Sequence, residues 1–275
     1  MSGPFTTAIV VSYRTGPRLH ECLYALAYDP AVSKLIVVDN GNPEDETAWL
    51  RAFAEKRDHV TLVEPGANLG FGAGVNLAAR DALEGDLLII NPDAVLKRGS
   101  IEAMRTAAKG LDQPWIIGGK IFDERGTELR GPRRRKLTLF RAMTRYIGWN
   151  TWTLEHTAPP DGPVPMDVVS GALMFISKSG FDQLNGFDED YFLHVEDVDI
   201  CRRAWDAGGC VRYCPTAGAL HYGSTSEAPS KTVARHKANS LILYFRKFAS
   251  NPFEKVLINL LAPVIRMGAQ ARTKD

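Results

Sequence analysis

The amino-acid sequence predicts an α/β protein in which a mostly parallel sheet carries helices on both faces. Three observations predict this fold class. Short apolar runs alternate with amphipathic segments four times within residues 5–109, and the runs begin about 25–29 residues apart, which is the spacing of β-α-β units. The runs are apolar at successive positions, as strands buried on both faces are. Polar residues follow every run.

The strands and helices can be placed in chain order. Residues 5–13 form the first strand, and a helix follows Pro17 because apolar residues recur from Leu19 at the i, i+3, i+4 and i+7 positions. Later elements are a helix from near Val195 and an amphipathic helix within 228–253. The remaining predictions are strands at 34–39, 59–63, 86–91 and 210–213, and helices at 44–56, 71–83 and 99–109.

Composition narrows the function classes. The chain has 275 residues, 45% of them hydrophobic, which is enough for a full core and excludes wholesale disorder. A formal net charge of +1 argues against a nucleic-acid partner. The four cysteines are too few for a disulfide framework, and no apolar run is long enough for a signal sequence or a membrane span. We therefore expect a cytoplasmic protein with reduced thiols.

The carboxyl ends of the four predicted strands form a candidate site. Open α/β sheets bind ligands at this edge. One polar strand end is ordinary turn chemistry, whereas four at one edge predict a binding site. The residues there are Ser12, Tyr13 and Arg14 after the first strand, Asp39 and Asn40 after the second, Glu64 and then Asn68 after the third, and Asn91, Pro92 and Asp93 after the fourth.

A glycine-rich segment, NLGFGAGVN at 68–76, follows the third strand. A dinucleotide-binding fingerprint would follow the first strand and keep a different glycine spacing, so that function is not supported, and no P-loop motif is present. Gly72 would let a ligand approach the backbone, while Asn68 and Asn76 would hydrogen-bond a base or ribose. The alternative is a tight loop that packs a helix against the sheet.

Six segments in order resemble the family 2 glycosyltransferases of the GT-A fold, and in particular their bacterial rhamnosyltransferase-like branch. The resemblance implies an inverting enzyme that moves a sugar, L-rhamnose from dTDP-rhamnose, to a hydroxyl of a glycan or polyprenyl-diphosphate-linked acceptor in cell-surface polysaccharide synthesis. The segments are IVVSYR (9–14), VVDN (37–40), NLGFGAGVN (68–76), NPD (91–93), SGALMFISKSGFDQLNGFDEDYFLHVEDVDICRRAWDAGG (170–209) and HYGSTS (221–226).

The same resemblance implies a role for each site residue. Asp197 in VED is the base that removes the acceptor proton, with Glu196 beside it. Asp93 and His221 hold Mg²⁺ or Mn²⁺, although Asn91 replaces the first acid of the wider D-x-D pattern. Asp39 holds the nucleoside. The full donor site is then Ser12, Arg14, Asp39, Asn68, Gly72, Asn76 and Asn91.

Two charge runs nearly cancel in the net charge. Residues 130–147 hold seven bases and no acid, whereas 182–199 hold seven acids and no base. The bases, with the C-terminal helices, predict contact with an anionic membrane surface at the inner face of the cell membrane; a solvated loop is the alternative. The apolar stretch 253–265 is too short to span a bilayer. It lies on the membrane, packs on the core or contacts a partner, and a homodimer is left open.

The domain organisation follows from these segments. A GT-A domain is predicted over 1–225, with a nucleotide-binding half at 1–95 and a catalytic half at 96–225, and a helical extension over 226–275. Two other functions stay open: a sugar-nucleotide nucleotidyltransferase and a non-catalytic glycan- or lipid-binding module. A nucleotidyltransferase typically carries a glycine-rich loop after strand one, which this chain lacks, and the intact Asp39, Asp93, Asp197 and His221 speak against a non-catalytic module.

Overall fold

The structure, a computed structural model, describes residues 5–129, 131–139, 141–142, 158–222 and 230–271. Its helices are α1 (Arg18–Ala27), α2 (Glu44–Glu55), α3 (Phe71–Ala79), α4 (Ser100–Ala108), α5 (Lys178–Gln183), α6 (Glu196–Asp206), α7 (Ser230–Lys247) and α8 (Pro252–Ala271). Its strands are β1 (Phe5–Ser12), β2 (Lys34–Asp39), β3 (Val60–Val63), β4 (Gly85–Ile90), β5 (Ala94–Leu96), β6 (Trp115–Phe122), β7 (Arg133–Arg134), β8 (Val164–Pro165), β9 (Val168–Val169), β10 (Leu173–Ser177) and β11 (Cys210–His221).

The central sheet is mostly parallel, which confirms the predicted fold class. Its strand order is β3-β2-β1-β4-β10-β6-β11-β5, with β8 paired to β11. The strands β3, β2, β1 and β4 pair in parallel, and β10 runs antiparallel to both β4 and β6. Because β10 is reversed, its amino end lies at the same edge as the carboxyl end of β4. The loop before β10 therefore reaches the candidate site.

Alternate residues of each strand supply two hydrophobic layers, one on each face of the sheet. Ile9 and Ile89 lie in the layer shared with α3, α6 and α7, whereas Val10 and Leu88 lie in the layer shared with α1, α2 and α4. All four side chains are fully buried. Burial on both faces explains why these strands appear in the sequence as continuous apolar runs.

Most predicted boundaries agree with the structure, and two differ. Helix α3 ends at Ala79 and not at 83. The backbone N–H of Leu83 donates to Thr7 Oγ1 of β1 at 3.0 Å, and this bond replaces the one that a continued helix would make. Strand β11 extends well past the predicted 210–213. It passes an irregularity between Cys214 and Gly218 and continues to His221.

The C-terminal extension is helical, as predicted. Helices α7 and α8 pack on the first hydrophobic layer through Ile242, Phe245 and Ile258. The pairing of β4 with β10 places both halves of the predicted GT-A domain in one sheet, and the division at 225 stays a prediction. Within the described residues, no helix combines the length and the apolar character needed to cross a bilayer.

Candidate active site

The ends of β1 and β2 are joined by a network around Asn42. Ser12 Oγ donates to Asn42 Oδ1 at 3.1 Å, and the backbone N–H of Arg14 donates to the same oxygen at 2.7 Å. Arg14 has a positive φ of 49° and an exposed side chain above the Tyr13 ring. The sequence analysis missed Asn42, which lies just beyond the VVDN segment. The two loops form one rim, and Arg14 is its exposed cation.

Asp39 is the centre of this rim. Its Oδ1 accepts hydrogen bonds from the backbone N–H groups of Gly41 and Asn42 and from Asn42 Nδ2, and its Oδ2 accepts one from Thr47 Oγ1. The side chain is almost completely buried. The carboxylate therefore orders the loop after β2, and a contact with a nucleoside would be made in addition to these four bonds.

The glycine-rich segment is fixed to the rim on one side and to the segment before α6 on the other. Asn40 Nδ2 donates to Asn68 Oδ1 at 2.9 Å, and Asn40 Oδ1 accepts from the N–H of Leu69 at 2.9 Å. Gly70 has a φ of 86°, and a Cβ there would lie 2.4 Å from the carbonyl oxygen of Phe192. Only glycine allows this close approach.

Gly72 and Asn76 are occupied by protein contacts. A Cβ on Gly72 would lie 3.1 Å from the Cβ of Phe187. Asn76 Nδ2 donates to the carbonyl oxygen of Phe187 at 2.8 Å and to Glu189 Oε1 at 3.0 Å, and its Oδ1 accepts from the N–H of Phe187 at 2.8 Å. Of the two sequence interpretations, helix packing accounts for these residues, and we do not retain them in the donor site.

Asn91, Asp93 and His221 lie together beyond β4 and at the end of β11. His221 Nε2 lies 3.1 Å from Asp93 Oδ1 and 3.4 Å from Asn91 Nδ2. The pairing of His221 with Ala94 in β5 fixes this arrangement, because β11 delivers the histidine to the edge where β4 ends. The rest of the HYGSTS segment, from 223, lies outside the described residues.

The donor set of Asp93 and His221 suits a divalent cation that also binds a diphosphate. A carboxylate oxygen and an imidazole nitrogen are ligands for Mn²⁺ or Mg²⁺. Among the described residues, no group of three or more His, Cys, Asp and Glu side chains could enclose a metal. A site with two protein ligands leaves coordination positions for phosphate oxygens and water, as is usual for Mg²⁺. The residues present therefore fit a metal shared with substrate.

Helix α6 begins at a strained turn. His194 and Val195 have φ values of 66° and 74°. A positive φ is costly for a β-branched residue such as valine, and such residues cluster at functional sites. The turn places Glu196 and Asp197 in the first helical turn, where the helix dipole favours negative charge.

The buried Asp197 forms an ion pair with the partly buried Arg134. The guanidinium donates to Asp197 Oδ2 and, at 3.1 Å, to the carbonyl oxygen of Val169; the N–H of Gly171 also donates to Asp197 Oδ2, at 3.1 Å. Burial acts to raise the pKa of Asp197, but Arg134 and the Gly171 hydrogen bond outweigh it and hold the pKa below its ordinary value. Asp197 is therefore ionised at neutral pH.

Asp197 and the Asp93–His221 pair lie on two sides of one short loop. Gly171 donates to Asp197, and the carbonyl oxygen of the adjacent Ala172 accepts from the N–H of Asn91 at 3.1 Å. The structure thus brings together four residues that the sequence placed far apart: Asn91, Asp93, Asp197 and His221.

Glu196 differs sharply from its neighbour. It is buried, and its Oε2 is among the buried side-chain atoms of the described residues without a hydrogen-bond partner, as is Arg134 Nε. Burial, and then the nearby charge of Asp197, raise the pKa of Glu196 to about 8. At neutral pH the pair therefore consists of a neutral acid and a carboxylate.

We expect Glu196→Gln to change the pH dependence of stability. Glu196 ionises near 4.5 when unfolded and near 8 when folded, so the folded state holds the extra proton between these values. The contribution of Glu196 to the free energy of unfolding is complete below about pH 4.5. It is lost as the pH rises towards 8, by up to about 1.4 kcal/mol per pH unit. Glutamine carries no proton to lose, so this slope should disappear from urea unfolding measured across that range.

The exposed Glu124 supplies a matched control. Glu124→Gln should keep the slope of the unmodified protein. If Glu196→Gln also kept it, the neutral state assigned to Glu196 would be wrong.

Arg134 is the main residue that the sequence analysis missed. It belongs to the basic segment 130–147 that was expected to face a membrane. The structure contradicts this for two of the seven bases: Arg133 is buried and pairs with Glu128 at 2.9 Å, and Arg134 pairs with Asp197. Glu128 lies five residues before Arg133, and Asp197 lies 63 residues after Arg134. The basic run itself gave no indication of either ion pair. Residues 143–147 lie outside the described residues.

Comparison with known proteins decides the family. The family model described as glycosyl transferase family 2 matches residues 7–177. The chain belongs to this family. It is a glycosyltransferase, which favours the transferase over the two alternatives left open by the sequence.

Curated relatives point to a narrower group. The chain is 32% identical over 257 residues to the N-acetylglucosaminyl-diphospho-decaprenol L-rhamnosyltransferase of Mycobacterium tuberculosis (strain ATCC 25618 / H37Rv), covering 85% of this chain and 82% of that protein. It is 26% identical to the rhamnosyltransferase WbbL of Escherichia coli (strain K12), covering 78% of this chain and 82% of that protein. These similarities confirm the predicted rhamnosyltransferase-like resemblance.

Solved structures share the fold. GalNAc-T7 with UDP, GalNAc and Mn²⁺ superposes with a TM-score of 0.65 at 14% identity, and the match covers 98% of this chain and 55% of that one. The mannosyltransferase PcManGT from Pyrobaculum calidifontis, in complex with GDP-Man and Mn²⁺, gives a TM-score of 0.62 at 18% identity, with 98% and 74% covered. The chain therefore has the predicted GT-A fold.

Proposed function

We propose that this glycosyltransferase moves L-rhamnose from dTDP-rhamnose, with inversion, to a hydroxyl of a polyprenyl-diphosphate-linked glycan in cell-surface polysaccharide synthesis. The observation that carries the proposal is the ionised, buried Asp197 across one loop from Asp93 and His221. This arrangement provides a base next to a place for a diphosphate leaving group. The names of the two rhamnosyltransferase relatives support the sugar, and that of the mycobacterial one supports the lipid-linked acceptor.

The donor site is proposed at the rim formed by the loops after β1 and β2. Ser12 and Asp39 shape the rim, and the exposed Arg14 is placed to contact the nucleotide. Asn68 holds the neighbouring loop through Asn40. Asn91 would face the diphosphate beside His221.

Asp93 and His221 would hold Mg²⁺ or Mn²⁺. When bound, the cation neutralises the charge that develops on the leaving diphosphate. Both solved structures of the same fold that contain Mn²⁺ also contain a nucleotide or nucleotide sugar. The part played by this chain is to present one carboxylate and one imidazole at the strand edge.

The chemistry assigned to the protein is a single displacement. Asp197 takes the proton of the acceptor hydroxyl, the freed oxygen forms a bond to the anomeric carbon, and the bond from that carbon to the diphosphate oxygen breaks on the opposite face. The product therefore has the opposite anomeric configuration. Arg134 holds Asp197 ionised and oriented, and the neutral Glu196 can donate a hydrogen bond beside it.

The test is a donor panel. Release of nucleoside diphosphate is measured with dTDP-, UDP- and GDP-sugars, with a GlcNAc-diphospho-polyprenol acceptor, and with Mn²⁺ present or removed by chelation. We expect turnover with dTDP-rhamnose, dependent on both acceptor and metal, and an inverted product by NMR. In thermal unfolding, dTDP-rhamnose at about 100 times its Kd should stabilise the protein by about 2.7 kcal/mol. A preference for a GDP-sugar, or a product with retained configuration, would overturn the proposal.

A further inference from the structure

Helix α8 carries a regular exposed apolar face. Six large apolar side chains recur along it with the i, i+3, i+4 and i+7 spacing of one helix face, and five of them keep more than half of their surface exposed. The opposite face is buried against α7 through Ile258 and Ala262. The exposed side chains, called here the α8 stripe, are Phe253, Val256, Leu257, Leu260, Val264 and Met267.

We propose that the α8 stripe lies in the headgroup layer of an anionic membrane and holds the active site at the lipid surface. This inference rests on the proposed function, because a polyprenyl-linked acceptor is itself a membrane lipid. For the segment 253–265, the sequence left open contact with the membrane, the core or a partner. Under this proposal one face of the helix packs on the core and the other contacts lipid.

The charge of the C-terminal helices favours an anionic lipid surface. Residues 230–271 contain seven Lys and Arg and a single acid, Glu254. One of the seven, Lys247, pairs with Asp188 and Asp199, which precede these helices, and the excess of bases remains without it. Arg246 and Arg266 donate to the amide oxygens of Asn259 and Asn239, which leaves their charges in place. Basic residues beside an apolar helix face are typical of helices that lie on anionic membranes, with about 1 kcal/mol per base near the surface.

The same charges disfavour a second copy as the occupant. A twofold interface brings the same surface of two molecules together. Pairing two α8 stripes would bring together two helix pairs that each carry the excess of bases, and this repulsion would oppose the apolar contact. An anionic bilayer satisfies both the apolar face and the charge.

Helix α7 connects α8 to the segment that carries Glu196 and Asp197. Helix α7, on which α8 packs, holds the segment that leads into α6: Ser240 Oγ donates to the carbonyl oxygen of Leu193 at 2.9 Å, and the rings of Phe192 and His236 stack at 4.5 Å. Asp197 follows this segment within four residues. A membrane contact along α8 would therefore connect the segment that carries the base to the lipid surface through α7.

The experiment measures sedimentation of the full-length protein with vesicles. The double variant Leu260→Ser/Val264→Ser is compared with the unmodified protein on vesicles of phosphatidylcholine with and without phosphatidylglycerol. We expect the unmodified protein to bind the anionic vesicles, more weakly at high salt, and the double variant to bind them at least about tenfold more weakly. Tyr28→Ser, an exposed aromatic residue after α1, should bind like the unmodified protein.

Further measurements separate the outcomes. Because both stripe residues are exposed, the double variant should keep its Tm and its turnover on a short-chain, water-soluble acceptor. Full vesicle binding by the double variant would overturn the inference. So would a dimer in light scattering that the double variant dissociates, since a second copy would then cover the stripe. Vesicle binding without turnover on any acceptor would instead contradict the proposed function and still support membrane binding by the α8 stripe.

Discussion

Asp197→Asn is expected to lower kcat by about a thousandfold, within the range that a general base contributes. Asparagine keeps the shape of the side chain and can still accept the hydrogen bond from Gly171, but it cannot take the acceptor proton. The measurement is the rate of nucleoside diphosphate release at saturating donor and acceptor. Asp206→Asn is the matched control on the same helix: the Asp206 side chain is 52% exposed, so its ion pair with Arg202 contributes little and kcat should be unchanged.

The same substitution should destabilise the protein, and this effect has to be separated from catalysis. Removing one partner of a buried ion pair leaves an uncompensated charge at a cost of about 3–5 kcal/mol, and the cost here should be below that range because the Arg134 side chain is 24% exposed. The double variant Arg134→Met/Asp197→Asn removes that charge as well. It should recover much of the stability and still turn over at the low rate. Recovery of both stability and turnover would show that Asp197 is not the base.

Arg134→Met alone tests how the ion pair acts. Without the guanidinium, burial is no longer outweighed and the pKa of Asp197 should rise. Since a base works only when ionised, the acid limb of the pH profile of kcat/KM should move to higher pH. A purely structural role for Arg134 would lower activity at every pH without moving this limb.

The parts of the fold that the sequence predicted are those encoded locally. The apolar runs that became β1, β2 and β4 are continuous because both faces are buried, and the polar residues behind them share one edge because parallel strands end together. The acids near the start of α6 could also be placed, since the helical pattern begins there.

The missing parts depend on long-range pairing. Arg134 meets Asp197 across 63 residues through a two-residue strand, β7, that is too short to leave a periodic pattern. The run 182–199 contains no Lys or Arg of its own, and the sequence did not indicate that Lys247 reaches both Asp188 and Asp199 from α7. In the glycine-rich segment, the sequence indicated that position 72 must be small. It did not indicate that the side chain of Phe187 occupies the space beside Gly72.

The second large effect is expected at Asp93. Asp93→Asn should lower turnover at least about a hundredfold and weaken the binding of Mn²⁺ in the presence of dTDP, because the amide carries no charge to hold a cation beside His221. Calorimetric titration of Mn²⁺ into the protein with dTDP measures this effect without relying on activity. Unchanged Mn²⁺ affinity in the variant would remove Asp93 from the metal site.

Asn91→Asp is expected to strengthen Mn²⁺ binding, whereas Asp93→Asn weakens it. Its new carboxylate would replace an amide whose nitrogen lies 3.4 Å from His221 Nε2, adding a charged oxygen ligand next to Asp93. Mn²⁺ should then bind more tightly, and it should do so even without dTDP, because three protein ligands depend less on phosphate oxygens. If the affinity instead fell, repulsion between two adjacent carboxylates would exceed their attraction for the metal. In either case the comparison shows how far the metal site relies on the substrate to complete it.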